Sequence, residues 1–169
     1  SRVLDLGCGS GELAAFLTER GFEVTGVDRE PDMLALARAA APGARFLQAD
    51  MTQLQVPGPF DLVTSISHSL NHLPGLEELR RCLDGATRVA APGALLLVDL
   101  ITRRGMERWN AVTVDEEEDY VLVRRGFYDA ASRVGYTRMS GFLLENGAWQ
   151  RFAAVLRYRA FALAEVLEA

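Results

Sequence analysis

Asp5 is followed by Gly7-Cys8-Gly9-Ser10-Gly11, three glycines at alternate positions. Without a Cβ and with positive φ open to it, such a loop lets a ligand come close to the main chain. Asp28 closes a second apolar run, and a carboxylate there can accept hydrogen bonds from two ribose hydroxyls, as any adenosine-containing molecule presents. Asp50 closes a third. The chain's two histidines, His68 and His72, both fall in Ser65-Ile66-Ser67-His68-Ser69-Leu70-Asn71-His72. An imidazole there can contact an acceptor or take its proton, or it can merely cap or pack the loop. Asn71 can orient an acceptor hydroxyl or amine, or cap a helix. No set of ligands is spaced for a metal, and none is expected.

These residues need elements to place them. Arg2-Val3-Leu4-Asp5-Leu6 reads as a strand running into the glycine turn. Helical spacing follows, with Leu13, Phe16 and Leu17 on one face and Gly21 as a C-terminal cap. Residues 22–27 form a second strand, and Pro31 opens a helix through Met33, Leu34, Leu36 and Ala37. Residues 46–49 and 60–66 are the third and fourth strands. Residues 75–90 form a helix with Leu76, Leu79, Leu83 and Ala86 inward and the pairs Glu77/Arg81 and Asp84/Arg88 outward. Pro92-Gly93 then turns into residues 94–98, a fully apolar strand. Strands alternating with helices predict an α/β fold, a Rossmann-like doubly wound and mostly parallel sheet.

The rhythm changes after Asp99. An acidic connector, Asp115-Glu116-Glu117-Glu118-Asp119, precedes three segments of two-residue alternation at 120–128, 133–144 and 148–159, and Asn146-Gly147 marks a hairpin turn. In the last segment Phe152, Ala154, Leu156 and Tyr158 face one way and Arg151, Arg157 and Arg159 the other. This is an antiparallel β meander appended to the parallel sheet. The expected division is a cofactor-binding core at residues 1–105, a β insertion or lid at 106–160, and the start of a final helix at 161–169.

Composition narrows the partners. The 169 residues carry a net charge of -5, with 49% hydrophobic and 24% charged residues, as a globular domain does. Such a chain offers no broad basic footprint for nucleic acid and no apolar run long enough for a membrane span. No secretory signal is visible at its start. Two cysteines, Cys8 and Cys82, suit core positions in a reducing, cytoplasmic setting. A small-molecule acceptor and, at most, a homodimer are the expected partners.

Two details separate the adenosine cofactors. The dinucleotide fingerprint G-x-G-x-x-G/A needs a small third residue for tight helix packing, and Glu12 stands at that place. Asp5 would sit badly beside a pyrophosphate but well beside an ammonium or sulfonium. S-adenosyl-L-methionine carries both cations and no phosphate.

Val3-Leu4-Asp5-Leu6-Gly7-Cys8-Gly9-Ser10-Gly11 resembles the first motif of class I S-adenosylmethionine-dependent methyltransferases. Val24-Thr25-Gly26-Val27-Asp28 resembles the second, Gln48-Ala49-Asp50-Met51 the third and Phe60-Asp61-Leu62-Val63 the fourth. The Pro92-Gly93 turn before an apolar strand resembles the family's entry to its fifth strand. More loosely, the meander is similar to the insertion of small-molecule N-methyltransferases, those acting on amino sugars among them. The resemblance implies that Gly7, Cys8, Gly9 and Gly11 contact the methionine portion, with Asp5 near its ammonium. It implies that Asp28 holds the ribose, Asp50 accepts from the adenine amino group and the Met51 amide donates to a ring nitrogen. Arg29 and Ser65 belong to the same cofactor set. Met33 fits the adenine face and the core equally. S-adenosyl-L-homocysteine would be the product, and His68, then His72 and Asn71, would serve the acceptor, expected to be an amine.

The chain departs from that family in lacking helices before the first strand and an antiparallel strand pair after the last helix. Residues 94–98 then become a sheet edge, and the sequence is expected to be a trimmed piece of a longer protein. An NAD(P)-dependent oxidoreductase and a non-catalytic adenosylmethionine-binding domain are the alternatives.

Overall fold

The computed structural model describes residues 1–169 and divides the chain into two units, Ser1–Leu100 with Glu168–Ala169, and Ile101–Leu167. The first contains β1 (Arg2–Leu6), α1 (Glu12–Thr18), β2 (Glu23–Asp28), α2 (Pro31–Ala40), β3 (Arg45–Gln48), β4 (Phe60–Ser65), α3 (Leu76–Val89) and β5 (Ala90–Val98). Two 3-10 turns, Met51–Gln53 and Ser69–His72, follow β3 and β4. The strands form a parallel sheet in the order β3-β2-β1-β4-β5. The chain winds outward from β1 to β3 and then returns to the other side of β1. The order therefore reverses between β1 and β4, the place where open parallel sheets bind ligands beyond their carboxyl ends.

β1 is central and covered on both faces, so Val3, Leu4 and Leu6 are all buried despite the alternation of a strand. Val3, Val24 and Phe46 share one cluster with Ala14, Leu34 and Ala37 from α1 and α2. Two helical faces differ from expectation. In α1 the buried residue is Ala14, while Phe16 is half exposed beneath the Arg20 guanidinium, 3.5 Å from its ring centre. A seven-residue helix has room for one small contact on the sheet, and the aromatic ring is shielded by the arginine instead. In α3 the buried set is Leu79, Cys82, Gly85 and Ala86, and Arg81 pairs with Glu78, at 2.7 Å, one residue nearer than the expected Glu77.

β5 begins at Ala90, directly after α3, earlier than the Pro92-Gly93 turn suggests. Phe60 pairs with Ala90 but Leu62 with Leu95, so the turn bulges out within the strand. As an edge strand β5 leaves Leu95, Leu96 and Leu97 exposed at 71%, 47% and 58%. Successive residues point to opposite faces, so both of its faces are bare.

The second unit contains α4 (Arg103–Met106), β6 (Val112–Glu116), β7 (Tyr120–Asp129), β8 (Val134–Glu145), β9 (Ala148–Arg159) and α5 (Leu163–Leu167). Its antiparallel sheet has the order β6-β7-β8-β9, four strands where sequence alternation showed three. The acidic run is no plain connector: Asp115 and Glu116 lie in β6, opposite Leu122 and Val121. Asn146 and Gly147 take φ of 52° and 77°, the two left-handed residues of a type I′ hairpin between Glu145 and Ala148. Met106, Tyr128 and Ala160 form a small core with Trp109 and Tyr158 beside it. The Trp109 Nε1–H donates to Thr137 Oγ1 at 3.0 Å. No helix is long and apolar enough to cross a membrane.

Candidate functional site

The glycine loop is tied down by main-chain bonds to its neighbour strand. The Gly7 and Cys8 amides donate to the Val27 carbonyl at 2.8 and 3.0 Å, and the Gly11 amide to the Cys8 carbonyl at 3.0 Å. Gly9 has φ +53°, and a Cβ built on it would meet nothing within 4 Å. The loop thus presents bare main chain to open space at Gly9. Gly11 is glycine for the opposite reason. At φ +83° its Cβ would lie 2.8 Å from Ala37 Cα, so close packing on α2 excludes any side chain. The third small position of a dinucleotide loop is supplied here one residue early, by Gly11 rather than at Glu12.

Asp5 lies beneath this loop, 2% exposed. Its Oδ1 accepts from Thr64 Oγ1 at 2.7 Å. Burial pushes its carboxyl up to about 6, with Asp28 adding repulsion and the Thr64 bond opposing the rise. Burial and the two carboxylates likewise push the Cys8 thiol up to about 12, which makes it inert packing. At the end of β2, Asp28 Oδ2 accepts from the Gly9 amide at 2.8 Å, and Oδ1 from the Glu30 amide at 3.0 Å. Asp28 therefore joins the strand end to the loop. One lone pair on each oxygen remains for a further donor.

The other predicted residues divide. Asp50 Oδ1 accepts from the Thr52 amide and hydroxyl, both at 2.8 Å, so this exposed acid caps the turn that carries Met51. Met33 is 44% exposed, which removes it from the core. Arg29 is exposed and bonds its neighbour Glu30. Ser65 is fully buried with its hydroxyl donated to the Leu6 carbonyl at 2.9 Å, a tie between β4 and β1.

Beyond β4 the chain turns sharply. Ser67 and His68 both adopt left-handed conformations, φ 57° and 64°, and both are exposed. Asn71 is wholly buried and His72 exposed. The Ser69 hydroxyl lies between this turn and the glycine loop, within hydrogen-bonding distance of both the Ile66 and Gly7 carbonyls, at 2.8 and 3.2 Å. Ser69 and Asp99 were not singled out from sequence. Asp99 follows β5 as Asp5, Asp28 and Asp50 mark the other strands, and its carboxylate accepts from the Ser67 and His68 amides. The same signal, an acid where a strand runs out, could have found it.

An acid under an open glycine loop has a definite chemical preference. It repels phosphate and attracts a cation, while Asp28 and Asp50 stand at neighbouring strand ends ready for hydroxyl and amino donors.

Residues 3–93 match the family model described as "Methyltransferase domain". The "Putative methyltransferase YqeM" of Bacillus subtilis is 31% identical over 99% of this chain and 70% of its own length. The "Ubiquinone biosynthesis O-methyltransferase" of Pseudomonas aeruginosa is 32% identical over 91% of the chain and 64% of its own. Among solved structures, SAM-bound CalS10, an amino pentose methyltransferase from Micromonospora echinaspora, superposes with a TM-score of 0.80 and 29% identity. That match covers 98% of this chain and 71% of CalS10. The chain thus spans about two thirds of each relative.

Proposed function

Because the chain belongs to the methyltransferase-domain family, we propose that it transfers a methyl group from S-adenosyl-L-methionine to the nitrogen of a small-molecule amine. The observation that carries this reading is the buried Asp5 carboxylate beneath a glycine loop whose Gly9 faces open space. When bound, S-adenosylmethionine supplies a methyl group on a sulfonium, already a good leaving group for in-line displacement. The residues present suit it. Gly7, Gly9 and Gly11 give close main-chain approach, Asp5 a counter-charge for the ammonium, Asp28 an acceptor for ribose hydroxyls, and Asp50 with the Met51 amide a frame for adenine.

The chain's own contribution to the chemistry is alignment and proton removal. An amine attacks only when neutral, so a base or desolvation near it raises the rate. His68, exposed on the turn beyond β4, is the group for that role, with His72 second. Asn71, wholly buried, supports the turn from within. The amine as acceptor draws support from CalS10, described as an amino pentose methyltransferase. The free, buried Cys8 and Cys82 fit a reducing cytoplasm.

Calorimetry with S-adenosylhomocysteine and with NADH, followed by a methyl-transfer screen over amines, amino sugars and hydroxylated small molecules, tests the reading. S-adenosylhomocysteine binding together with transfer to an amine is the expected result. Binding of NADH alone would overturn it.

A further inference from the structure

Ser67 and His68 are consecutive, neither is glycine, and both are left-handed. A Cβ crowds the following carbonyl in that conformation, so two in succession do not persist unless something holds them. The His68 side chain does not cap the Ser69–His72 turn that it begins. The hold comes from the neighbouring strand. The Asp99 amide donates to the Ser65 carbonyl at 3.1 Å, which fixes the end of β5 against the end of β4. From there the Asp99 carboxylate spans the turn, Oδ2 accepting from the Ser67 amide at 3.0 Å and Oδ1 from the His68 amide at 2.7 Å.

We propose that Asp99 is the positioning residue of the transfer reaction, its carboxylate fork holding Ser67 and His68 in the turn that presents the imidazole beyond β4. The inference rests on the reading of His68 as the acceptor-side group. Successive main-chain N–H groups in a turn make a small concavity that favours an anion. Here the protein fills it with its own carboxylate, and both oxygens are used. The inner side of the same turn is fixed by buried Leu70 and Asn71, whose amide donates to the His68 carbonyl at 2.9 Å. The outer side is held by Asp99. The single Ser69 hydroxyl proton is shared between the Ile66 and Gly7 carbonyls, and a Cβ on Gly7 would lie 2.8 Å from Ser69 Cβ, so the turn packs directly on the cofactor loop. Glycine would enter this turn without strain. The chain instead keeps a histidine there and supplies an acid to hold it.

The test uses Asp99→Ala and Asp99→Asn, each alone and with Ser67→Gly added. Amide hydrogen exchange is read at Ser67 and His68. S-adenosylhomocysteine affinity is read by calorimetry, and kcat with whichever amine the screen yields. Removing the fork should speed exchange at both amides about tenfold or more, since local opening no longer breaks a charge-assisted bond. The rate should fall by about 10–100-fold from misplacement alone, while the S-adenosylhomocysteine Kd stays within about threefold. Ser67→Gly should recover part of the lost rate, because glycine needs less holding, a result that general loss of stability would not give. Unchanged exchange in both variants, a Kd that rises as far as kcat falls, or absence of any recovery by Ser67→Gly would overturn the proposal. If the wild-type protein binds S-adenosylhomocysteine but methylates nothing on the panel, exchange at the two amides alone decides Asp99's hold. The failure then belongs to the acceptor reading.

Discussion

Asp5→Asn should make the protein more stable and a poorer binder at once. The folded chain keeps the Asp5 proton to about pH 6, whereas the unfolded chain releases it near the ordinary 3.8. Between those values the folded state holds more protons, so stability falls as pH rises through the window, and above it the ionised side chain is a standing cost. At about 1.36 kcal/mol per pH unit, that cost is at most about 3 kcal/mol at neutral pH. Asparagine has nearly the same shape and keeps an oxygen for the Thr64 hydroxyl, but its amide needs an acceptor of its own. Leaving that unmet returns about 1–2 kcal/mol, so the net gain is about 1–2 kcal/mol. For a chain of this size it appears as a rise in Tm of about 2–8 °C near neutral pH. The rise vanishes at about pH 5 and reverses below about pH 4, where the protonated acid carries no ionisation cost and the asparagine amide is still unmet. Thermal unfolding of both proteins across that range is the assay. The same substitution removes the counter-charge for an ammonium and should weaken S-adenosylmethionine by about 10–100-fold, the worth of a charged hydrogen bond. A Tm difference that does not vary with pH would refute the argument from burial. A stabilised variant with full affinity would leave burial intact and remove Asp5 from the ligand.

Asp28→Ala should cost about 1.5–3 kcal/mol in cofactor binding by calorimetry, since it removes the proposed ribose acceptor and frees the Gly9 amide it holds. Gly9→Val would put a branched side chain into the open approach, so S-adenosylhomocysteine binding should vanish while circular dichroism shows the fold retained; wild-type affinity would mean that the loop is not the cradle. His68→Ala should lower kcat by about 10²–10⁴-fold if it removes a proton, and leave S-adenosylhomocysteine affinity within about threefold. Gly141→Ala would drive a Cβ into the Val121 carbonyl oxygen, so the meander should lose stability by about 1–3 kcal/mol in denaturant unfolding with no change in S-adenosylhomocysteine affinity.

What could be read from the sequence was what is local. The glycine loop, the acids that end β1 to β3 and the Asn146-Gly147 hairpin each carry their signal within a few residues. β6 escaped because Val112-Thr113-Val114-Asp115-Glu116 combines alternation with a charge run, and charge was taken to mean a solvated connector. At the rim of a sheet the two are compatible, since an edge strand tolerates acids on its open side. Ser65 is a different case: the sequence groups it with the cofactor residues, but its hydroxyl is committed to the Leu6 carbonyl across 59 positions of chain, a bond that no spacing rule reveals. The Asp99 fork spans 31 and 32 positions in the same way. Residue type shows what a side chain is able to do; only the pairing of β4 with β1 and β5 shows which of those capacities is already used.

The bare leucines of β5 have a practical consequence for anyone who prepares this chain. Ala94-Leu95-Leu96-Leu97-Val98 is uncharged, free of proline and exposed on both faces, with one row of main-chain donors and acceptors unpaired along its outer side. That is the description of a template for strand addition, and two such edges meeting would nucleate a precipitate rather than a defined complex. Loss of soluble protein should accelerate with concentration and with temperature well below unfolding. A single lysine in place of Leu96 should delay it, by introducing a charge that an approaching strand would have to desolvate.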